Sequence, residues 1–171
     1  AAVDKITADD ALNMSPKRIT LSTSGVPKMM KKLADDGVKF NLALSLHSAI
    51  DKIRTTIMPF NEQFPVADIK EALIYWYQAT RKPVTYEYIV WKNINDDFES
   101  VQALVDFCKV IPCKVNLIEY NPIDEDRFEQ ADDQAVAMYK NELESHDITV
   151  TLRHSRGKDI DAACGQLANK Q

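Results

Sequence analysis

Cys164 is the residue in this chain best placed for covalent chemistry. It sits between Ala163 and Gly165, behind the basic Arg153, Arg156 and Lys158 and the carboxylates Asp159 and Asp161. Small neighbours leave the sulfur open to approach, and nearby cations favour the thiolate, the form that attacks an electrophile. A lone cysteine in a C-terminal tail serves equally well as an inert small hydrophobe. A second set of polar residues stands where apolar runs end: Ser22, Ser45 with His47, Glu87, Asn121 and Arg153. Hydroxyl, amide and imidazole groups along one edge suit a nucleoside, whose ribose and base need directional donors and acceptors more than charge. Taken singly, each could simply cap a strand or a turn, and His47 could be a satisfied structural histidine. Glu87 lies in an otherwise apolar run and needs a partner, such as a lysine at the rim.

The elements that would carry these residues alternate strand and helix. The β-branched run 18–22 reads as a strand closing in Thr23-Ser24-Gly25, after which Pro27 suits a first helical position and Gly37 ends the helix. A strand follows over 38–46, apolar on both sides at Leu42-Ala43-Leu44 as inside a parallel sheet. A short helix from about 49 must stop before Pro59. The helix 65–79 carries Val66, Ile69, Leu73, Trp76 and Tyr77 on one stripe, and 84–90 is a strand. Asn95-Asp96 opens a helix in which Asp96 caps and Glu99 answers it, with Phe98, Val101, Leu104, Val105 and Cys108 inward. A strand over 114–118, an acidic loop, a helix over 132–145 and a strand over 148–153 complete the order. Strict alternation implies an α/β fold of parallel strands joined by right-handed crossovers, with ligands gathering at the C-terminal strand ends. Residues 1–12 are weakly helical with no cap or preceding strand, like the end of a larger unit.

At 171 residues and 45% hydrophobic, the chain has material for one domain with a real core. No run of about eighteen apolar residues and no signal-peptide pattern is present, so no membrane partner is expected and the expected address is cytoplasmic. Three irregularly spaced cysteines, Cys108, Cys113 and Cys164, suit reduced thiols rather than a disulfide framework, and none has metal-knuckle spacing. A net charge of -5 argues against general nucleic-acid binding, leaving Lys17-Arg18, Lys28 with Lys31-Lys32, and Arg153 with Arg156 and Lys158 as local basic patches. With four glycines in the chain there is no phosphate-binding loop or dinucleotide fingerprint, nor any nucleophile-elbow serine or zinc spacing.

Four segments in one order carry a resemblance: 18–25, Leu44-Ser45-Leu46-His47, 114–118 with Asn121-Pro122, and Asp159-Ile160-Asp161-Ala162-Ala163-Cys164-Gly165-Gln166-Leu167. They are similar to the RlmN/Cfr family of radical S-adenosylmethionine RNA methyltransferases, over nearly the whole chain. The resemblance implies the C-terminal portion of a partial (β/α) barrel over residues 1–153, followed by a tail over 154–171 that carries Cys164. It implies that Ser22, Ser45, Leu46, His47 and Asn121 contact S-adenosylmethionine. In such enzymes the cysteine matching Cys164 accepts a methyl group from one S-adenosylmethionine. A second, cleaved at an iron–sulfur cluster, gives the 5′-deoxyadenosyl radical that removes a hydrogen from that methyl, and the resulting methylene radical adds to adenine in 23S rRNA or tRNA. Carbon 2 is the expected position, as in the commoner member of the family.

The chain departs from the family in two ways. It has no cysteine before Cys108, so neither the family's three-cysteine cluster loop nor its resolving cysteine is present, and Cys113 matches an ordinary strand residue. After Asn121-Pro122 it has Ile123-Asp124-Glu125-Asp126 where relatives commonly place Gly and Pro. The chain is therefore expected to be the C-terminal part of a longer radical methyltransferase, holding no [4Fe–4S] cluster and inactive alone. Its first strand would keep an open edge that favours self-association. A non-catalytic α/β nucleoside-binding module stays open as an alternative, as does an enzyme using Glu87 and His47 as acid and base.

Overall fold

The computed structural model describes residues 2–8, 10–121 and 128–153. After a short helix α1 (Ala2–Thr7), five strands and five helices follow in alternation: β1 (Thr20–Thr23), α2 (Pro27–Asp35), β2 (Asn41–Ser45), α3 (Asp51–Ile57), α4 (Val66–Thr80), β3 (Val84–Ile89), α5 (Phe98–Cys108), β4 (Cys113–Ile118), α6 (Asp133–Ser145) and β5 (Thr149–Arg153). One crossover, between β2 and β3, holds both α3 and α4, separated by a 3₁₀ turn, Pro59–Glu62. A second 3₁₀ turn, Pro16–Arg18, takes the start of the run expected as the first strand, so pairing begins only at Thr20.

All four strand pairs are parallel and the spatial order is the chain order, β1-β2-β3-β4-β5. A doubly wound sheet reverses its order and has helices on both faces. Here the order never reverses, so crossovers of one hand put every helix on the same side, the winding of a (β/α) barrel. One core forms in consequence. Leu42, Leu44, Val84, Tyr86, Tyr88, Val115 and Leu117 of the sheet pack with Met30 and Ala34 of α2, Ile69, Leu73 and Trp76 of α4, Val101, Leu104, Val105 and Cys108 of α5, and Tyr139 and Leu143 of α6. Cys108 is core, as the spacing predicts.

The turn after β1 needs its glycine. Gly25 has φ +96°, and a Cβ there would lie 2.9 Å from Ile69 Cδ1 and 3.1 Å from Leu44 Cδ1. Only a residue without a side chain lets the strand end press against α4 in that conformation.

Two details of α5 differ from expectation. The cap is Asp97, whose carboxylate accepts the Ser100 N–H at 2.7 Å, while Asp96 closes the preceding turn by accepting the Asn93 N–H at 2.9 Å. Phe98 is exposed rather than inward, because it is the first residue of the helix and packing begins only at Ser100 and Val101.

Candidate nucleoside site at the strand ends

Successive strand residues face opposite sides of a sheet. With Leu42, Leu44, Tyr86, Tyr88, Val115 and Leu117 turned toward the helices, the alternate residues occupy the other face. Register aligns them in rows: Ser22 with Ala43, Ala43 with Thr85, then Ser45 with Glu87, Glu87 with Asn116, and Asn116 with Thr151. The next row joins Ile89, Ile118 and Arg153. One face of the sheet is thus apolar and helix-covered, and the other carries hydroxyls, amides and a carboxylate.

Of the residues expected to meet S-adenosylmethionine, Ser22 is exposed on this face and Ser45 half-buried on it, one register row further along the strands. Glu87 shares the row of Ser45, and its partner is Asn116, whose Nδ2 donates to Oε1 at 2.9 Å, an amide in place of the lysine considered from sequence. Leu46 is fully buried in the core, its N–H donated to the Glu87 carbonyl at 3.0 Å and its own carbonyl accepting from Arg54 Nε at 3.0 Å and the Ser48 N–H at 2.7 Å, so both of its backbone polar groups are engaged within the protein. Asn121, just past β4, is buried, and its Oδ1 has no partner among the described residues. A buried amide oxygen without a partner costs free energy that a bound donor would recover. The chain around Cys164 lies outside the described residues.

His47 is the most constrained of these groups. It adopts φ +57°, its Nδ1 accepts the Ile89 N–H at 3.3 Å, and its ring meets Trp91 edge-on at 5.5 Å between centroids. Accepting at Nδ1 puts the proton on Nε2, leaving one ring donor. Burial, reinforced by the positive charge of Arg54, pushes its pKa down to about 4. A neutral imidazole of such low basicity is well suited to donate a fixed hydrogen bond. It is poorly suited to general acid–base work near neutrality, which wants a pKa close to the working pH.

Two residues that sequence reasoning missed hold this rim. Arg54 of α3 is fully buried: Nε donates to Leu46 O at 3.0 Å, Nη1 to Asn61 Oδ1 at 2.7 Å, and Nη2 to Ser24 O at 2.6 Å and Ser45 O at 3.3 Å. Asn95, read from sequence as a helix opener, is also fully buried. Its Nδ2 donates to His47 O at 2.8 Å and Ile89 O at 3.0 Å, its Oδ1 accepts the Trp91 N–H at 2.7 Å, and its carbonyl accepts from Tyr139 Oη at 2.6 Å. The ends of β1, β2 and β3 are thereby tied through buried side chains. Trp91 extends the connection to β4 through an edge contact with Tyr120 at 5.9 Å.

Among the described residues, no group of three or more His, Cys, Asp and Glu side chains could hold a metal ion. Cys113 donates to the Cys108 carbonyl at 3.5 Å, at the end of β4 opposite the rim. The described donors therefore do not fit a [4Fe–4S] cluster, which takes grouped thiolates, whereas the rim's hydroxyls, amides and imidazole fit a nucleoside. No described helix is long and apolar enough to cross a membrane.

The one-sided arrangement of helices on a five-stranded parallel sheet matches a crystal structure of a radical SAM methyltransferase from Sphaerobacter thermophilus, with a TM-score of 0.91 and 32% identity. The match covers 96% of this chain and 48% of that one, and it defines the class as a radical S-adenosylmethionine methyltransferase fold. No protein-family model matches the chain. Curated relatives do: a probable dual-specificity RNA methyltransferase RlmN from Christiangramia forsetii is 68% identical over 169 residues, and one from Flavobacterium johnsoniae is 63% identical over 170. Over nearly its whole length the chain is thus similar to RNA methyltransferases named RlmN. Each alignment takes in 99% of this chain but only 48% and 49% of the relative, so the chain spans about half the length of the curated relatives it matches.

Proposed function

We propose that this chain is the part of a radical S-adenosylmethionine RNA methyltransferase that holds S-adenosylmethionine at the strand ends and carries the methyl-accepting cysteine, in an enzyme that methylates carbon 2 of adenine in 23S rRNA, tRNA or both. The observation that carries this reading is the polar face itself: Ser22, Ser45, Glu87 and Asn116 on one side of the sheet, with a neutral His47 donor and an unpartnered buried Asn121 amide oxygen beside its ends. Similarity to RNA methyltransferases named RlmN supports the reaction class.

In this reading Ser22, Ser45, His47 Nε2–H and the Asn121 amide orient the ligand, with Leu46 lending shape to the site beside them. When bound, S-adenosylmethionine supplies an electrophilic methyl group and, with a [4Fe–4S] cluster, a radical. The cysteines for that cluster belong to protein beyond the matched half, and the chain by itself holds no cluster and does not methylate RNA. Cys164, as its thiolate, would accept the methyl group that bound S-adenosylmethionine supplies and hold it as a thioether. In the same reading residues 1–153 make up the barrel portion and 154–171 the tail that carries Cys164.

The test is mass analysis of nucleosides in 23S rRNA and tRNA from cells making the complete protein or its Cys164→Ala variant. With the wild type we expect 2-methyladenosine in RNA and an added methyl mass on the peptide containing residue 164; the variant should lose both while folding normally. A variant that methylates RNA at the wild-type rate would overturn the carrier role.

A further inference from the structure

Arg54 is an unusual core residue. It is a cation with no exposed surface, its hydrogen-bond acceptors are three backbone carbonyls and one amide oxygen, and no carboxylate pairs with it among the described residues. Burying a guanidinium is costly, and with no ion pair to offset it the hydrogen bonds must do so. Burial pulls its pKa down, with Asp51 opposing the shift. An aliphatic side chain would fill the space without that cost. What it could not do is donate to the ends of two strands at once.

Those ends are where the rim is shaped. In a regular strand, successive carbonyls point to opposite sides, yet Ser45 O and Leu46 O both accept from Arg54. The chain therefore leaves the β2 ladder at Leu46, and the next residue, His47, takes φ +57° with its ring turned back to the Ile89 N–H. On the other side the same Nη2 holds Ser24 O, immediately before Gly25. The guanidinium is itself fixed from behind. Asn61 binds Nη1, and the Asn61 amide donates to Asp51 Oδ1 at 2.9 Å and Thr55 Oγ1 at 3.0 Å, while Asp51 also accepts the Val66 N–H at 2.8 Å at the start of α4.

We infer that Arg54 is a positioning residue of the nucleoside site: one buried guanidinium sets the ends of β1 and β2 relative to each other, so that Ser22, Ser45 and His47 address a single ligand. The inference rests on the reading of the rim as an S-adenosylmethionine site. Arg54 does not touch the ligand; it acts through the backbone of the residues that do. Lysine keeps the charge but has one nitrogen in place of a planar fork, so it cannot span Ser24, Ser45, Leu46 and Asn61 together.

The experiment measures S-adenosylmethionine affinity of the complete protein by calorimetry, for wild type, Arg54→Lys and Arg54→Ala. It is run at a temperature where circular dichroism shows each to be folded. Roughly tenfold weaker binding is expected for both variants, the order of one or two lost orienting hydrogen bonds. Millimolar guanidinium should restore most of the affinity of Arg54→Ala, which a loss of general stability would not allow. The ¹⁵N shifts of His47 should report one Nε2–H tautomer in the wild type and a mixture in Arg54→Ala. Asn61→Ala frees one guanidinium nitrogen without touching the rim and carries the test if the Arg54 variants do not fold, with a severalfold loss expected. Native affinity in folded Arg54→Lys, or in Asn61→Ala if that variant stands in, overturns the inference. A wild-type protein that does not bind S-adenosylmethionine overturns instead the function proposed above, and the inference with it.

Discussion

Burial of His47 has a consequence for stability that can be measured without any ligand. In the folded chain its pKa falls to about 4 from an ordinary 6.5, chiefly because burial disfavours the imidazolium and secondly because Arg54 lies near. Between those two values the unfolded chain binds a proton that the native state refuses, so acid favours unfolding. The stability at stake is present in full above the unfolded pKa, declines as pH drops below about 6.5, and is exhausted below about 4. From about pH 8 to about pH 5 the loss amounts to roughly 2 kcal/mol, rising toward about 3 kcal/mol at the acid limit. Urea denaturation of the wild type and His47→Asn across this range isolates the term, because carboxylate titrations shared by the two proteins cancel in the difference. Asparagine tolerates the left-handed backbone at this position and does not titrate. The wild type should lose about 2 kcal/mol more than the variant on going from the higher to the lower pH. Equal slopes for the two proteins, or an imidazole pKa near 6.5 by NMR, would refute the buried neutral donor.

Two further predictions concern the frame that holds the site. Gly25→Ala places a methyl group 2.9 Å from Ile69 Cδ1 at φ +96°, and should lower stability by roughly 2–3 kcal/mol in chemical denaturation, with Gly37→Ala, which has open space around it, as the milder comparison. Among the described residues β1 pairs only with β2 and β5 only with β4, so light scattering of this chain alone should show dimers or larger species, and a monomer at high concentration would mean that both edges are covered.

Most of the fold could be read from local pattern, because its determinants are local. Apolar runs of strand length alternate with stripes at helical spacing, Pro27 and Gly37 bracket α2, and Trp76 and Ile69 fall on the face that becomes core. Where the pattern misled, several local choices were nearly equal. Asn95, Asp96 and Asp97 can each cap a helix, but in the fold Asn95 turns to the His47 and Ile89 carbonyls and Asp96 to the Asn93 N–H, which leaves Asp97 as the cap. Phe98 keeps the spacing of the inward stripe but sits at the helix's first residue, and its ring is exposed.

The site was legible in a different way. Ser22, Ser45, His47, Glu87 and Asn121 stand out because polar residues at the ends of apolar strands have few other reasons to be there. What joins them does not stand out, because it depends on register and on distant partners. Glu87 meets Asn116 only because β3 and β4 align those two positions, across 29 residues of sequence. Asn95 reaches back 48 residues to the His47 carbonyl. Arg54, with Asp51 three residues before it, has the spacing of an ordinary exposed ion pair on a helix, the commonest and least consequential arrangement for an arginine. In the fold that carboxylate turns to Asn61 and to the start of α4, and the arginine turns inward to the strand ends. Sequence spacing thus located the polar groups at the strand ends, while the buried side chains that tie those ends together became visible only once the chain had been folded around them.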